Sequence, residues 1–196
     1  MTEAAPVLGV LAASVGIADT IPYVRDIRRG STRPHRGTWL IWGVLAAVVF
    51  LSQRADGASW SLLMAGTQAA LIALIFALSI RRGVGGLSAV DLVMIGVACG
   101  GVAGWLVADE PVVATACVVV ADLIGVAMMV PKTWGDPGSE TLSTFALASV
   151  SGALAPLSVA ALDPALLLYP VYFCVGNGAL AMLILHRRSG PAILNA

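Results

Sequence analysis

The sequence predicts an all-α membrane protein of seven transmembrane helices. Two parallel three-helix repeats are joined by a linker helix, with the N-terminus out and the C-terminus in. Three observations predict this: a composition too apolar for a water-facing surface, seven apolar stretches of near membrane-spanning length, and basic residues confined to alternate loops. Of 196 residues, 59% are hydrophobic and 11% charged, and mean hydropathy is +0.93. A soluble domain carries about 25% charged residues. The formal net charge is zero, so charge offers no attraction to nucleic acid.

A bilayer core ~30 Å thick needs about 20 apolar residues in helical form. The stretches 7–24, 38–53, 60–80, 89–108, 112–131, 143–161 and 165–185 are expected to be the spans. The second is the weakest, because Thr38 to Leu51 covers only about 21 Å at 1.5 Å per residue. It is kept because Arg36 and Arg54 flank it. The first is read as a span and not as a cleaved signal peptide, since Met1 to Pro6 carries no base.

Orientation follows from the positive-inside tendency. Arg25, Arg28, Arg29, Arg33 and Arg36 fill the first loop, which places that loop in the cytoplasm and the N-terminus outside. Arg81 and Arg82, Lys132, and Arg187 and Arg188 then fall inside as well, and only Arg54 falls outside. Glu3, Asp56, Asp109, Glu110 and Asp163 fall outside. Lys132 is the lone lysine among eleven basic residues, a usage that points to a high-GC bacterium and its cytoplasmic membrane.

One fixed offset of 109 residues relates the two ends of the chain. It lays Val15-Gly16-Ile17-Ala18 on Ile124-Gly125-Val126-Ala127 and Ile21-Pro22 on Val130-Pro131. Without a gap it also lays Gly43 to Ala46 on Gly152 to Ala155, Gln68 to Leu71 on Asn177 to Leu180, and Thr32 on Thr141. Apolar helices match by chance, but one register across three helix pairs favours a duplication. Residues 1–83 then form the first repeat, 84–110 the linker with its helix at 89–108, and 111–196 the second repeat. An odd linking span gives the two repeats the same orientation. Gly96, Gly100 and Gly104 make a flat face on the linker helix, read as internal packing in preference to a dimer face. A homo-oligomer stays open.

Seven spans in a three-one-three order, with Pro22 and Pro131 near the cytoplasmic ends of helices 1 and 5, resemble the SWEET and PQ-loop membrane proteins. The resemblance covers nearly the whole chain and rests on architecture. Where that family has a Pro-Gln pair, this chain has Pro22-Tyr23 and Pro131-Lys132. Pro156 lies in helix 6, and its repeat partner is Ala47. The asparagines that face the central pocket in the sugar-transporting members look like Gln68 and Asn177, at repeat-matched places. The resemblance implies a transporter fold, with the substrate unassigned.

Asp122 lies mid-way along helix 5, where an ionised carboxylate costs roughly 2.5–3.5 kcal/mol. It is expected to face a polar cavity, to pair, or to stay protonated. A proton-coupling role and a structural hydrogen bond to a neighbouring helix, through Asn177, stand side by side. Gln68 and Asn177 carry amide donors and acceptors that lipid cannot satisfy, so they should point inward, as pocket residues or as interhelical bonds. Asp19 is expected to pair with Arg25 or its neighbours, and Asp91 to start helix 4. Pro22 and Pro131 are hinges or helix stops. Thr32 and Thr141, or Ser31 and Ser139, are candidate caps. The five tryptophans are read mainly as an interfacial belt.

Cys99, Cys117 and Cys174 behave as small apolar residues, and His35 and His186 are far apart. The sequence offers no metal spacing, nucleophile motif or phosphate cradle, so neither a cofactor nor an enzymatic activity is expected. The expected function is a small-solute transporter or facilitator, its central cavity lined by Asp122, Gln68 and Asn177, with Pro22 and Pro131 as hinges. The expected partners are the lipid bilayer, an unknown small solute and, through Asp122, the proton. The alternative is a non-transporting membrane sensor, assembly partner or lipid-binding protein whose arginine-rich first loop is the docking surface.

Overall fold

The computed structural model describes residues 4–55, 60–107, 111–158 and 164–189. The expected outward acids Glu3, Asp56, Asp109, Glu110 and Asp163 lie outside the described residues. All seven apolar stretches are helical over their described residues, apart from the break at Asp19. The first is divided between α1 (Ala4–Ala18) and α2 (Thr20–Arg29), followed by α3 (Arg36–Ala55), α4 (Trp60–Arg82) and α5 (Ala89–Val107). Then come α6 (Pro111–Gly135), α7 (Leu142–Leu154), continued by a 3-10 turn (Ala155–Ser158), and α8 (Pro164–Ser189). A short 3-10 turn at Pro137–Ser139 precedes α7.

Among the described residues, three helical segments are long and apolar enough to cross a membrane: Ala89–Val107, Thr115–Gly135 and Leu167–Ser189. Two shorter apolar helices cover Arg36–Val48 and Leu142–Leu157. Much of α5 is bare: Val90, Leu92, Val93, Val97, Leu106 and Val107 are all more than half exposed. A continuous apolar face of this kind is tolerated in lipid and not in water. The weak second stretch proves to be a 20-residue helix, about 30 Å long at 1.5 Å per residue. Helical hydrogen bonding runs on beyond the apolar run that marks it.

The helices pack in a definite order. α3 lies on α4, α7 on α8, and α5 on α6, while α6 also packs along α8. The early and late helices then meet crosswise, α1 against α7 and α3 against α6. One core cluster gathers Tyr23, Ile27, Trp39, Ile75, Met129, Phe145, Leu180 and Ile184 from six helices. A second joins Ile41 and Leu45 of α3 to Ala98 and Val102 of α5 and to Ala121 and Met128 of α6.

The helix break at Asp19 has two causes. Pro22 has no N–H, and its ring crowds the carbonyl four residues back, at Ala18. Thr144 of α7 then donates to the Asp19 carbonyl at 2.8 Å and holds the break open. Pro131, at the matching place, sits inside an unbroken α6. The residue 109 before Thr144 is His35, which faces Thr38 and Asp91 instead. α2 ends at Gly30, whose positive φ of 79° is open to glycine at little cost.

Several local expectations are corrected. Asp19 accepts from Thr20, and it is Asp26 that pairs with Arg25. Thr141 stands at the α7 N-cap without a side-chain capping bond, and Thr32 bonds Thr141 and caps nothing. Trp39 and Trp42 pack in the core and not in a belt, with rings 5.0 Å apart. On α5, Gly104 packs against Cys117 and Gly101 against Cys117 and Ala121, whereas Gly96 and Gly100 face open space. Asp91 does start its helix: its carboxylate accepts from the backbone N–H groups of Gly86 and Ser88.

Candidate functional site

Asp122 is half-buried on α6, and Oδ2 accepts the Tyr172 hydroxyl at 2.7 Å. The partner is thus a tyrosine of α8, not Asn177. Tyr172 lies beside Tyr169, with ring centroids 6.2 Å apart, and Tyr169 stacks on Phe173 at 5.8 Å. The Asn177 side-chain N–H donates to the Phe173 carbonyl one turn back on its own helix, at 2.8 Å. Gln68 is half-buried on α4, and none of the described residues bonds its amide. Among the described residues, no bond joins Asp122, Gln68 and Asn177 to one another. Shallow apolar grooves lie on the surface of the described helices. One is lined by residues of α5 and α6, including Gly101 and Cys117, and another by α8, where Tyr172 is its polar-tipped member.

Where early helices meet late ones, one bond joins positions at the 109-residue offset and two close approaches are offset mates of each other. The Thr32 and Thr141 hydroxyls, 109 residues apart, bond each other at 2.6 Å and are buried. A Cβ on Gly16 would stand 2.9 Å from the Ser151 hydroxyl, and one on Gly125 would stand 2.9 Å from the Trp42 indole nitrogen. Gly16 and Gly125 are 109 apart, and so are Trp42 and Ser151. Ser151 donates to the Ala12 carbonyl at 2.7 Å, and Thr38 donates to the Gly125 carbonyl at 2.6 Å. Among the described residues the buried Trp42 N–H meets no acceptor, an unmet bond that costs about 1–3 kcal/mol.

The arginine-rich end holds a polar network that sequence reasoning missed. The Glu140 side chain is fully buried, and Tyr23 donates to Oε2 at 2.9 Å while Lys132 donates to Oε1. Tyr23 in turn accepts the Trp39 indole N–H at 3.1 Å. Lys132 also donates to the carbonyls of Arg33 and Ser139. Arg33 pairs with Asp136, and Thr141 donates to Asp26 at 3.1 Å. Burial pushes the Glu140 carboxyl above its ordinary value, and the Lys132 charge opposes that shift.

Terminal arginines fasten this end further. Arg82 of α4 donates to the Ile27 and Arg28 carbonyls at the end of α2. Arg188 of α8 donates to the Pro137 and Glu140 carbonyls, and Arg187 donates to the Trp134 carbonyl while lying over its ring. Cations at the last helical carbonyls are favourable through the helix dipole. Arg28, Arg29 and Arg81 remain exposed. His35 is buried beside Asp91, 3.7 Å away, and burial holds its imidazole below the ordinary value.

No family model, curated protein or solved structure matches the chain. Among the described residues, no group of three or more His, Cys, Asp or Glu side chains is placed to hold a metal ion.

Proposed function

We propose that the chain is a seven-span membrane transporter or facilitator for a small solute, built from two parallel three-helix repeats joined by α5. Its N-terminus lies outside and its C-terminus in the cytoplasm of a bacterium. The architecture is supported by the Thr32–Thr141 bond, which joins positions 109 apart. Two copies of one unit related by a two-fold axis along the membrane normal meet at equivalent residues on that axis. The matched pairs Gly16 with Ser151 and Gly125 with Trp42 flank the same axis. A resemblance to SWEET and PQ-loop proteins fits this plan.

The observation that carries the transport reading is the carboxylate of Asp122, mid-way along an apolar spanning helix and bonded by a tyrosine hydroxyl. An ionisable group at that depth is maintained against a cost of roughly 2.5–3.5 kcal/mol and marks a solute or proton path. Asp122 binds or loses a proton as the solute moves, Tyr172 orients it, and Gln68 and Asn177 supply amides at matched depth in the two repeats. Pro22 and Pro131 are the hinges in this reading, which the helix break beside Pro22 supports, while Pro131 lies within an unbroken α6. Uptake of labelled glucose, glycine and lactate into liposomes, with and without an imposed pH gradient, tests the reading. Gradient-driven uptake should be lost in Asp122→Asn. Equal uptake by the variant removes the proton role, and no uptake of any probe by the parent removes transport.

Close packing at Gly16 and Gly125 favours a second reading, a non-transporting membrane protein whose exposed Arg28, Arg29 and Arg81 meet a cytoplasmic partner or anionic lipid. The same uptake experiment separates the two.

A further inference from the structure

The polar bonds between the two proposed repeats are densest at one end, and three single hydroxyl bonds lie further along: Thr144 to the Asp19 carbonyl, Thr38 to the Gly125 carbonyl and Ser151 to the Ala12 carbonyl. At the arginine-rich end they comprise Tyr23 to Glu140, Lys132 to the Arg33 carbonyl, Thr141 to Thr32 and Asp26, and the Arg33 N–H to the Ser139 carbonyl at 2.9 Å, with the half-exposed Arg33–Asp136 pair at their rim. Further along, past Trp42, α3 and α6 meet through apolar residues such as Leu45, Val48, Val118 and Ala121. Polar bonds are strong while water is excluded and are replaced readily once water enters. They therefore make a seam with two states, shut when dry and open when wet. An apolar seam has no such exchange.

Glu140 is the hub of the shut state. It is buried, lies on the short stretch between α6 and α7, and takes one bond from each proposed repeat: Tyr23 from the first and Lys132 from the second. Those two residues are 109 apart and each follows a hinge proline. Bending at Pro22 or Pro131 would draw its neighbour off the carboxylate.

We propose that Glu140 is the latch of a cytoplasmic gate, shut here by Tyr23 and Lys132, whose release parts the two repeats at this end. The latch rests on the transport reading. It would bring the residues at the axis, Thr32 and Thr141, into contact with cytoplasmic water each time the gate opens.

The test needs no solute. In the full chain with Cys99, Cys117 and Cys174 changed to alanine, Thr32→Cys is the reporter. Its labelling by a membrane-impermeant maleimide is timed in inside-out vesicles. A reporter at the exposed Arg81→Cys serves as the control. Glu140→Ala should speed labelling of Thr32→Cys at least tenfold and leave the control unchanged. Tyr23→Phe, which keeps the Lys132 pair, should give a smaller rise, and it decides the matter if Glu140→Ala does not fold. Labelling of Thr32→Cys within twofold of the parent in the folded variants overturns the latch. Faster labelling without uptake of glucose, glycine or lactate by the parent overturns the transport reading, while uptake with flat labelling overturns the latch alone.

Discussion

Gly43 and Gly152 occupy matched positions, 109 residues apart, yet their surroundings differ in a way that sets a number. A Cβ on Gly152 would stand 2.6 Å from the backbone nitrogen of Cys174 and 2.9 Å from its Cα, so α8 itself would have to move. A Cβ on Gly43 would reach only the Ile72 Cγ2, at an ordinary 4.0 Å. Both glycines are interior to their helices, and alanine there gains about 1 kcal/mol of helix propensity. That gain cancels when Gly152→Ala is compared with Gly43→Ala. What remains is the cost of forcing a methyl group against backbone, about 1–3 kcal/mol. At roughly 2–4 °C per kcal/mol for a chain of this size, Gly152→Ala should melt about 2–12 °C below Gly43→Ala. Thermal unfolding of the two purified variants in the same detergent reads the difference. Equal melting temperatures, or Gly43→Ala the less stable, would refute the close approach of α7 to α8.

Tyr172→Phe removes the hydroxyl that bonds Asp122, and should cost about 1 kcal/mol and weaken gradient-driven uptake. The stability cost should shrink when measured in the Asp122→Asn background, and a cost that is unchanged there would refute the coupling. His35 supplies a pH dependence. Burial lowers its folded-state value, so the unfolded chain binds the proton more readily, and stability rises with pH through the window just below about 6.5. Acidifying through that window should therefore lower the melting temperature, and His35→Gln should flatten the slope. An unchanged slope would refute the lowered His35 value and show that the Asp91 carboxylate offsets burial.

The helices were legible because apolar runs bounded by arginines leave little choice of backbone in lipid. Their ends were less so, as α3 shows by running on to Ala55. The break at Asp19 was announced by Pro22, but Pro131 announces the same thing and α6 runs straight through it. The difference is made by Thr144, a residue 125 positions away from the carbonyl it holds. Asp122 stood out because a charge in an apolar run is conspicuous. Its partner Tyr172 did not, since an uncharged aromatic side chain is inconspicuous in an apolar run. Glu140 was missed for the opposite reason: an acid beside a basic loop reads as solvated, and only the fold buries it. The one available signal was that Tyr23 and Lys132 are offset mates of unlike chemistry.

The Thr32–Thr141 contact has a consequence for how such a chain can change. A residue on a two-fold axis faces its own copy, and few side chains complement themselves: two ammonium groups repel, two carboxylates repel, while a hydroxyl both gives and takes a hydrogen bond. Threonine at both places suits a symmetric pair of separate subunits as well as it suits one continuous polypeptide. Tyr23 and Lys132 do not, because a tyrosine and a lysine sharing a single acid require the two copies to have become different. On the duplication reading, the axis keeps the chemistry of an ancestral homodimer, and the acid beside it records what only joined halves can evolve.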